Sequence, residues 1–369
     1  MLRTSRYRLI LIVVFLALHV LCNAKAKDAD SKWLVSPELL EHAKLKILWW
    51  DELPIKKGEN LEQLFIIGNR IYALSDKNYM MCLNREKGNV VFSRPIAPAG
   101  FPVLGFQPYN DELISVIGNN LVEIDSSTGK EKKTKYMEFG VVCPVVRNSS
   151  FFYVSGVDKR LHVLHADNKV QTFEAAAEND SMITSISADE RFIVFGTDAG
   201  NVISITPDRP RKLWQFDATD AIAGPIVRDG LSLFFACKDT NIYRIDIVNP
   251  RKVELIWKYQ MQGILEKTPS VTQGVVYQHA RVKGLTAIDR HSGESLWTLK
   301  EGSDLLAEKN RKAYVITNVR TLVVMDNTTG KKLYSVNFAE VSRYTANTTD
   351  SKIYIADNRG RLACLEPIE

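Results

Sequence analysis

Cysteine is scarce in this 369-residue chain. Beyond the N-terminal segment only Cys82, Cys143, Cys237 and Cys364 occur, too far apart for a disulfide framework or a Cys-x-x-Cys metal site, so they are expected to act as small buried hydrophobes. An excess of one charge is lacking too. Lys plus Arg number 48 against 43 Asp plus Glu, but residues 1–26 hold Arg3, Arg6, Arg8 and Lys25 and no acid, which leaves 44 basic against 43 acidic residues. Nucleic-acid binding needs a basic surplus or stripe, so nucleic acid is not expected as a partner. No apolar run reaches the roughly 20 residues of a membrane-spanning helix. The sequence also lacks a GxGxxG after a strand, GxxxxGK[ST], HExxH, GxSxG and an EF-hand loop, so no catalytic, cofactor-binding or metal-ligating residue is predicted. What remains is 45% apolar and 25% charged, the composition of a globular chain with a large core.

At the N-terminus three arginines precede the apolar run 9–18, and small residues follow at Ala24 and Ala26. That order predicts an export signal over residues 1–26, cleaved near Ala24 or Ala26. A retained anchor is the alternative, and lipidation at Cys22 is disfavoured because Leu21 is not the small residue such a signal needs. Residues 27–44 read as a linker with a short helix, capped by Ser36 and opened by Pro37.

The rest of the chain repeats itself. Gly284–Trp297 matches Thr321–Tyr334: each is an alternating strand, an Asp, a tight turn ending in Gly, and a second strand closing on an aromatic. An Asp carboxylate accepts backbone N–H groups two residues on, and Gly supplies the positive φ that completes the hairpin. The same turn recurs from Asp125 to Gly129, Asp289 to Gly293 and Asp326 to Gly330, and with Asn from Asn84 to Gly88. β-rich strands centred on Tyr72, Ser115, Tyr153, Val194, Phe235, Tyr277, Tyr314 and Tyr354 precede these hairpins at intervals of 37–43 residues. A period near 40 with strand patterning throughout predicts an all-β, eight-bladed β-propeller of four-stranded antiparallel blades over residues 45–369. Seven blades is the alternative, because the copy at Ser115 is the most degraded.

Aromatics end the outer strands at Phe92, Tyr136, Phe173, Trp214, Trp257, Trp297 and Tyr334, one fewer than the strand centres. The missing one stands at the start, where Ile47-Leu48-Trp49 looks like Ser295-Leu296-Trp297, while the final repeat stops at Leu365 without an outer strand. The first strand is therefore expected to pair with the last blade and remove the open seam. The aromatic series is assigned to packing between blades.

These repeats, with their (Asp/Asn)-x-x-x-Gly turns and terminal Trp residues, resemble the pyrroloquinoline-quinone-type propeller repeat, most strongly at 284–297 and 321–334. The family includes quinone-dependent dehydrogenases, usually longer, whose alcohol-oxidising members use an adjacent Cys–Cys disulfide and calcium ligands; this chain has no such cysteine pair. It also includes exported non-catalytic propellers, among them the lipoprotein of the outer-membrane barrel assembly machinery, which the chain resembles in size and signal. The resemblance implies a non-enzymatic scaffold without cofactor, located in the periplasm or cell envelope, with membrane contact only through a retained signal or a lipid at Cys22.

Function is expected in the loops, where a rigid frame presents variable connections. The candidate docking residues are Phe101, Met261, Ile264 and Leu265, apolar side chains in segments between blades, for another envelope or exported protein binding a monomeric propeller. The alternative is a small-molecule or glycan binder, or a quinone-dependent oxidoreductase, using a central funnel lined by Glu62, Asp180, Lys267, Asp304 and Arg343. His162 and His165 fall on one strand three positions apart and so face opposite sides, which argues against a shared metal.

Overall fold

A computed structural model describes residues 33–368; the expected export signal and Cys22 lie outside the described residues. Thirty-two strands form eight four-stranded antiparallel sheets arranged as an eight-bladed propeller. Blades 1 to 7 take residues 61–95, 107–136, 146–175, 183–217, 227–260, 270–299 and 302–337, each running from the inner strand to the outer one. Blade 8 takes its three inner strands from 343–367 and its outer strand from Leu45–Glu52.

The second and third strands of each blade are buried on both faces between neighbouring sheets. They are accordingly near-continuous apolar runs, such as Ile71-Tyr72-Ala73-Leu74 and Phe152-Tyr153-Val154. The core is distributed between the blades, each cluster drawing on two adjacent sheets. Cys82, Cys143, Cys237 and Cys364 are buried free thiols there, and burial pushes the last three up to about 12.

The repeated turn has the predicted chemistry. Asp289 Oδ1 accepts the N–H groups of His291 and Ser292 at 2.9 and 2.8 Å, while Gly293 N–H donates to the Asp289 carbonyl at 2.9 Å with φ of +76°. Gly293 is needed for a second reason, since a Cβ there would stand 2.6 Å from the Trp257 ring of the preceding blade. Turn and inter-blade packing thus share one residue.

Asp125 accepts four such bonds, from the N–H and hydroxyl groups of Ser127 and Thr128, which hold its carboxyl down at about 2. A depressed carboxyl contributes stability above the unfolded value near 4 and loses it as pH falls through the folded value. Asn84 supports the same turn uncharged, accepting from the N–H groups of Glu86 and Lys87 at 3.0 and 2.9 Å. Asp125→Asn is therefore expected to fold normally and to lose less stability than the parent between pH 4 and pH 2. Urea midpoints across that range measure it, and equal losses would count against the turn as a source of acid sensitivity.

Ring closure follows the expected route. Strand Leu45–Glu52 pairs antiparallel with Arg361–Pro367, with Ile47 opposite Leu365 and Trp49 opposite Cys364 across a bulge. Trp49 packs on Tyr354 at 6.2 Å and donates from Nε1 to the Arg85 carbonyl of blade 1 at 3.2 Å. Arg85 latches the seam from the other side, donating to Tyr354 Oη at 3.1 Å and Asn347 Oδ1 at 3.0 Å, with Asp350 at 2.9 Å. The helix Pro37–His42, capped by Ser36, places Leu40 in the core between blades 7 and 8 with Leu45, Phe338 and Leu365.

One repeat departs from the expected pattern. Cross-strand register places Phe92, Phe173, Trp214, Trp257, Trp297, Tyr334 and Trp49 at equivalent outer positions, opposite Cys82, Val163, Ser204, Arg244, Ala287, Val324 and Cys364. In blade 2 that position is Lys133, opposite Glu123. Tyr136, expected to play this role, lies three residues further on and is 62% exposed.

Candidate functional site

The hairpins joining first to second and third to fourth strands share one face of the ring, as the bond from Arg85 Nη1 to the Gly68 carbonyl at 3.0 Å shows. The connections from second to third strands, and from each outer strand to the next blade, share the opposite face. Asn78 ties the two kinds together there, donating from Nδ2 to the carbonyls of Pro98 and Phe101 at 2.8 and 2.9 Å. This second face carries the expected docking residues.

Phe101 and Ile264 stand on it, 48% and 50% exposed, between blades 1 and 2 and between blades 5 and 6. They are half a ring apart and do not form one patch. Met261 and Leu265 must be corrected: both are fully buried, in the core between blades 5 and 6 with Phe234, Ile242 and Val276. Met261 N–H donates to the Thr240 carbonyl at 2.8 Å, which turns its side chain inward. An apolar residue in an irregular segment here packs like a strand residue.

Two residues that sequence reasoning passed over stand exposed on the same face as Ile264. Val282 and Val319, on the second-to-third-strand connections of blades 6 and 7, are 87% and 70% exposed. The Arg281 N–H bond to the Ile264 carbonyl (2.9 Å) and the Asn318 N–H bond to the Glu301 carbonyl (2.9 Å) tie these connections to the neighbouring inter-blade loops. Val282 also has φ of +72°. A β-branched residue in that region is strained, at a cost of order 1–3 kcal/mol, and such positions cluster at functional loops. Its sequence signal is slight: an isolated valine between Arg281 and Lys283 just before Gly284.

Inward of these residues the funnel-lining candidates separate into groups. Lys267 Nζ donates to Asp304 Oδ2 at 2.8 Å and to the Ser303 carbonyl at 3.1 Å, bridging blades 6 and 7, and Tyr344 Oη of blade 8 lies 3.4 Å from the same carboxylate. His279, beside this cluster, has its imidazole pKa lowered by burial and then by Lys267. Arg343 donates from Nε to the Leu61 carbonyl at 2.9 Å, next to exposed Glu62, and so clasps blade 8 to blade 1. Asp180 is apart from these, exposed and 3.4 Å from Lys159.

The remaining polar candidates have structural surroundings. His162 is buried, bonded to Asp158 at 3.0 Å and Gln171 at 3.2 Å, while His165 is half-buried. The sequence carries four Asn-x-Ser/Thr triplets, of which Asn148, Asn327 and Asn347 are buried and Asn179 is exposed. Among the described residues no group of three His, Cys, Asp or Glu is placed to hold a metal, and no helix is long and apolar enough to cross a membrane.

With this geometry in hand, the comparisons with known proteins are specific about architecture. Residues 198–337, spanning the end of blade 4 through blade 7, match the PQQ_2 family model described as outer membrane protein assembly factor BamB. Among solved structures, BamB from Moraxella catarrhalis superposes with a TM-score of 0.66 at 13% identity, over 87% of this chain and 97% of that one. The computationally designed protein Ika8 superposes with a TM-score of 0.63 at 13% identity, over 85% and 98%. No functionally curated protein matches the chain. The likeness to these solved structures shows the propeller fold, and within it residues 198–337 are similar to the PQQ_2 family model.

Proposed function

We propose that this protein is an exported, non-catalytic scaffold that docks another envelope protein on the loop face of blades 5 to 7. The observation that carries the reading is Val282, a strained β-branched residue held almost fully in solvent between Ile264 and Val319. Three apolar side chains on loops of one face, beside a mixed-charge rim at Lys267 and Asp304, match the apolar centre and polar border of a docking surface. Similarity to the BamB family model covers these same blades, and a protein-binding role in outer-membrane assembly is the function that likeness suggests. The alternative use of the funnel by pyrroloquinoline quinone lacks the adjacent cysteine pair of the alcohol-oxidising members.

The test is affinity capture from an envelope extract followed by titration of the recovered protein. Val282→Asp combined with Ile264→Asp is expected to weaken that complex by about 2 kcal/mol or more, roughly thirtyfold in Kd. Phe101→Asp, half a ring away, should leave it intact. Undiminished binding by the double variant would remove the loop-face assignment, and thermal stabilisation by quinone with calcium would favour the funnel instead.

A further inference from the structure

Seven of the eight blade seams are closed by the outer-strand aromatic of one blade packing toward the next. Phe92 meets Gly129, Trp257 meets Gly293 and Trp49 meets Gly88, each so closely that a Cβ on the glycine would strike the ring. The seam between blades 2 and 3 departs at all three positions. Lys133 replaces the aromatic, Glu123 stands opposite it where the other blades have Cys, Val, Ser, Arg or Ala, and Lys169 takes the turn position that glycine holds in blades 1, 2, 6 and 7, its N–H still donating to the His165 carbonyl at 2.9 Å. Glu123 is buried in an ion cluster with Lys169 and Arg147, beside the apolar residues Ile114, Phe152 and Leu164 of the same seam.

The outer part is open. A cleft of about 530 Å³ lies there, lined by Tyr136, Met137, Phe139, His162, Leu164 and Val170, a size within the roughly 300–1,000 Å³ of ligand pockets. The ring of Phe139 stacks on His162 at 3.8 Å and forms a flat wall. Along one side runs the strand Glu131–Tyr136, exposed at every residue and unpaired on its outer edge. Lys130, Lys132, Lys133 and Lys135 cluster on this edge, and among the described residues only Lys132 has a carboxylate partner, Glu112 at 2.7 Å. Glu138 and Glu174 also border the cleft, but Glu174 faces His162 at 3.4 Å; Glu131, on the strand itself, accepts from Thr134 at 2.5 Å.

We propose that this cleft binds an extended acidic segment of a partner protein that carries an aromatic side chain. The segment adds its backbone to the free edge of Glu131–Tyr136, and its alternate side chains then face either the cleft or solvent. Its ring occupies the space that a ring of this chain fills at the other seams, and its carboxylates meet Lys133 and Lys135. The inference rests on the scaffold reading but not on the loop face of blades 5 to 7.

A fluorescently labelled peptide, Asp-Trp-Asp-Phe-Asp, tests it by anisotropy against the full chain. Saturable binding is expected, falling at least tenfold with Lys133→Glu/Lys135→Glu, exposed substitutions that leave the core untouched, and with Val170→Glu at the cleft mouth. Ile264→Asp/Val282→Asp should bind the peptide as the parent does. A seam rebuilt as Glu123→Ala/Lys133→Trp/Lys169→Gly should fold with a raised Tm and lose the peptide. Any one of four results overturns the proposal: no saturable binding; equal binding by the cleft variants; equal binding of an Asp-to-Lys peptide or a single-stranded oligonucleotide; or self-association abolished by Lys133→Glu/Lys135→Glu, which assigns the cleft to a second copy. Absence of saturable peptide binding while the loop-face variant still loses the envelope partner would leave the scaffold reading standing as the cleft proposal falls.

Discussion

Trp297→Ala is expected to lower the unfolding free energy by about 3–5 kcal/mol, the range for truncating a buried aromatic. Trp297 closes the seam between blades 6 and 7 and packs on Tyr277 with ring centroids 5.9 Å apart. Truncation opens a cavity that rigid sheets on both sides cannot collapse to fill. It also breaks a chain of buried hydrogen bonds. Trp297 Nε1 donates to Asn327 Oδ1 at 2.7 Å, Asn327 Nδ2 donates to Tyr277 Oη at 2.6 Å, and Tyr277 donates to Glu308 at 2.9 Å, where Thr272 also donates at 2.6 Å. Burial, reinforced by Glu308, raises the Tyr277 pKa well above its ordinary value, so the phenol remains a donor. Trp297→Phe keeps most of the packing and deletes the first donor, which should cost about 1–3 kcal/mol. Urea midpoints at unchanged m-value measure both variants, and a Trp297→Ala midpoint equal to the parent's would contradict the seam.

The architecture was legible because its repeating unit has a local physical signature. An Asp-centred turn, a glycine at positive φ and an aromatic eight residues after the Asp can be read without knowing the fold, and Asp289, Gly293 and Trp297 show all three. Blade 2 defeated the rule because Lys133 holds the aromatic's place while Tyr136 offers a ring three residues late. A missing aromatic in a repeat is a weak sequence signal, yet here it marks a seam that holds a buried ion cluster beside its apolar core and a cleft at its rim. The docking residues failed differently. Met261 and Leu265 lie in an irregular segment that the ring folds into its core, whereas Ile264 between them points outward. Val282 and Val319 resemble strand ends in one dimension, and only ring closure puts their connections on one face. Contacts within a repeat were thus readable, and those between repeats required the register of neighbouring blades.

That register gives the ionic seam a measurable consequence. Glu123→Ala is expected to destabilise the protein by about 3–5 kcal/mol, because it strands two cations that the fold keeps from water. Arg147 and Lys169 are both nearly buried, and the Arg147 guanidinium lies 3.9 Å from the centre of the Tyr109 ring and 4.6 Å from that of Phe152. The rings stabilise the guanidinium in part, but a neutral neighbour in place of Glu123 leaves the Lys169 ammonium without its counter-charge. Most of the loss should return in Glu123→Ala/Lys169→Gly, which removes a buried charge together with its partner and restores the small residues of the Ala287 and Gly330 positions. Because the cluster is buried, the single-variant loss should persist in about 1 M salt, where an exposed pair would be screened. Urea unfolding of both variants at low and high salt decides the point. A Glu123→Ala loss below about 1 kcal/mol, or one erased by salt, would show that solvent reaches this seam and that the ions do not hold blades 2 and 3 together.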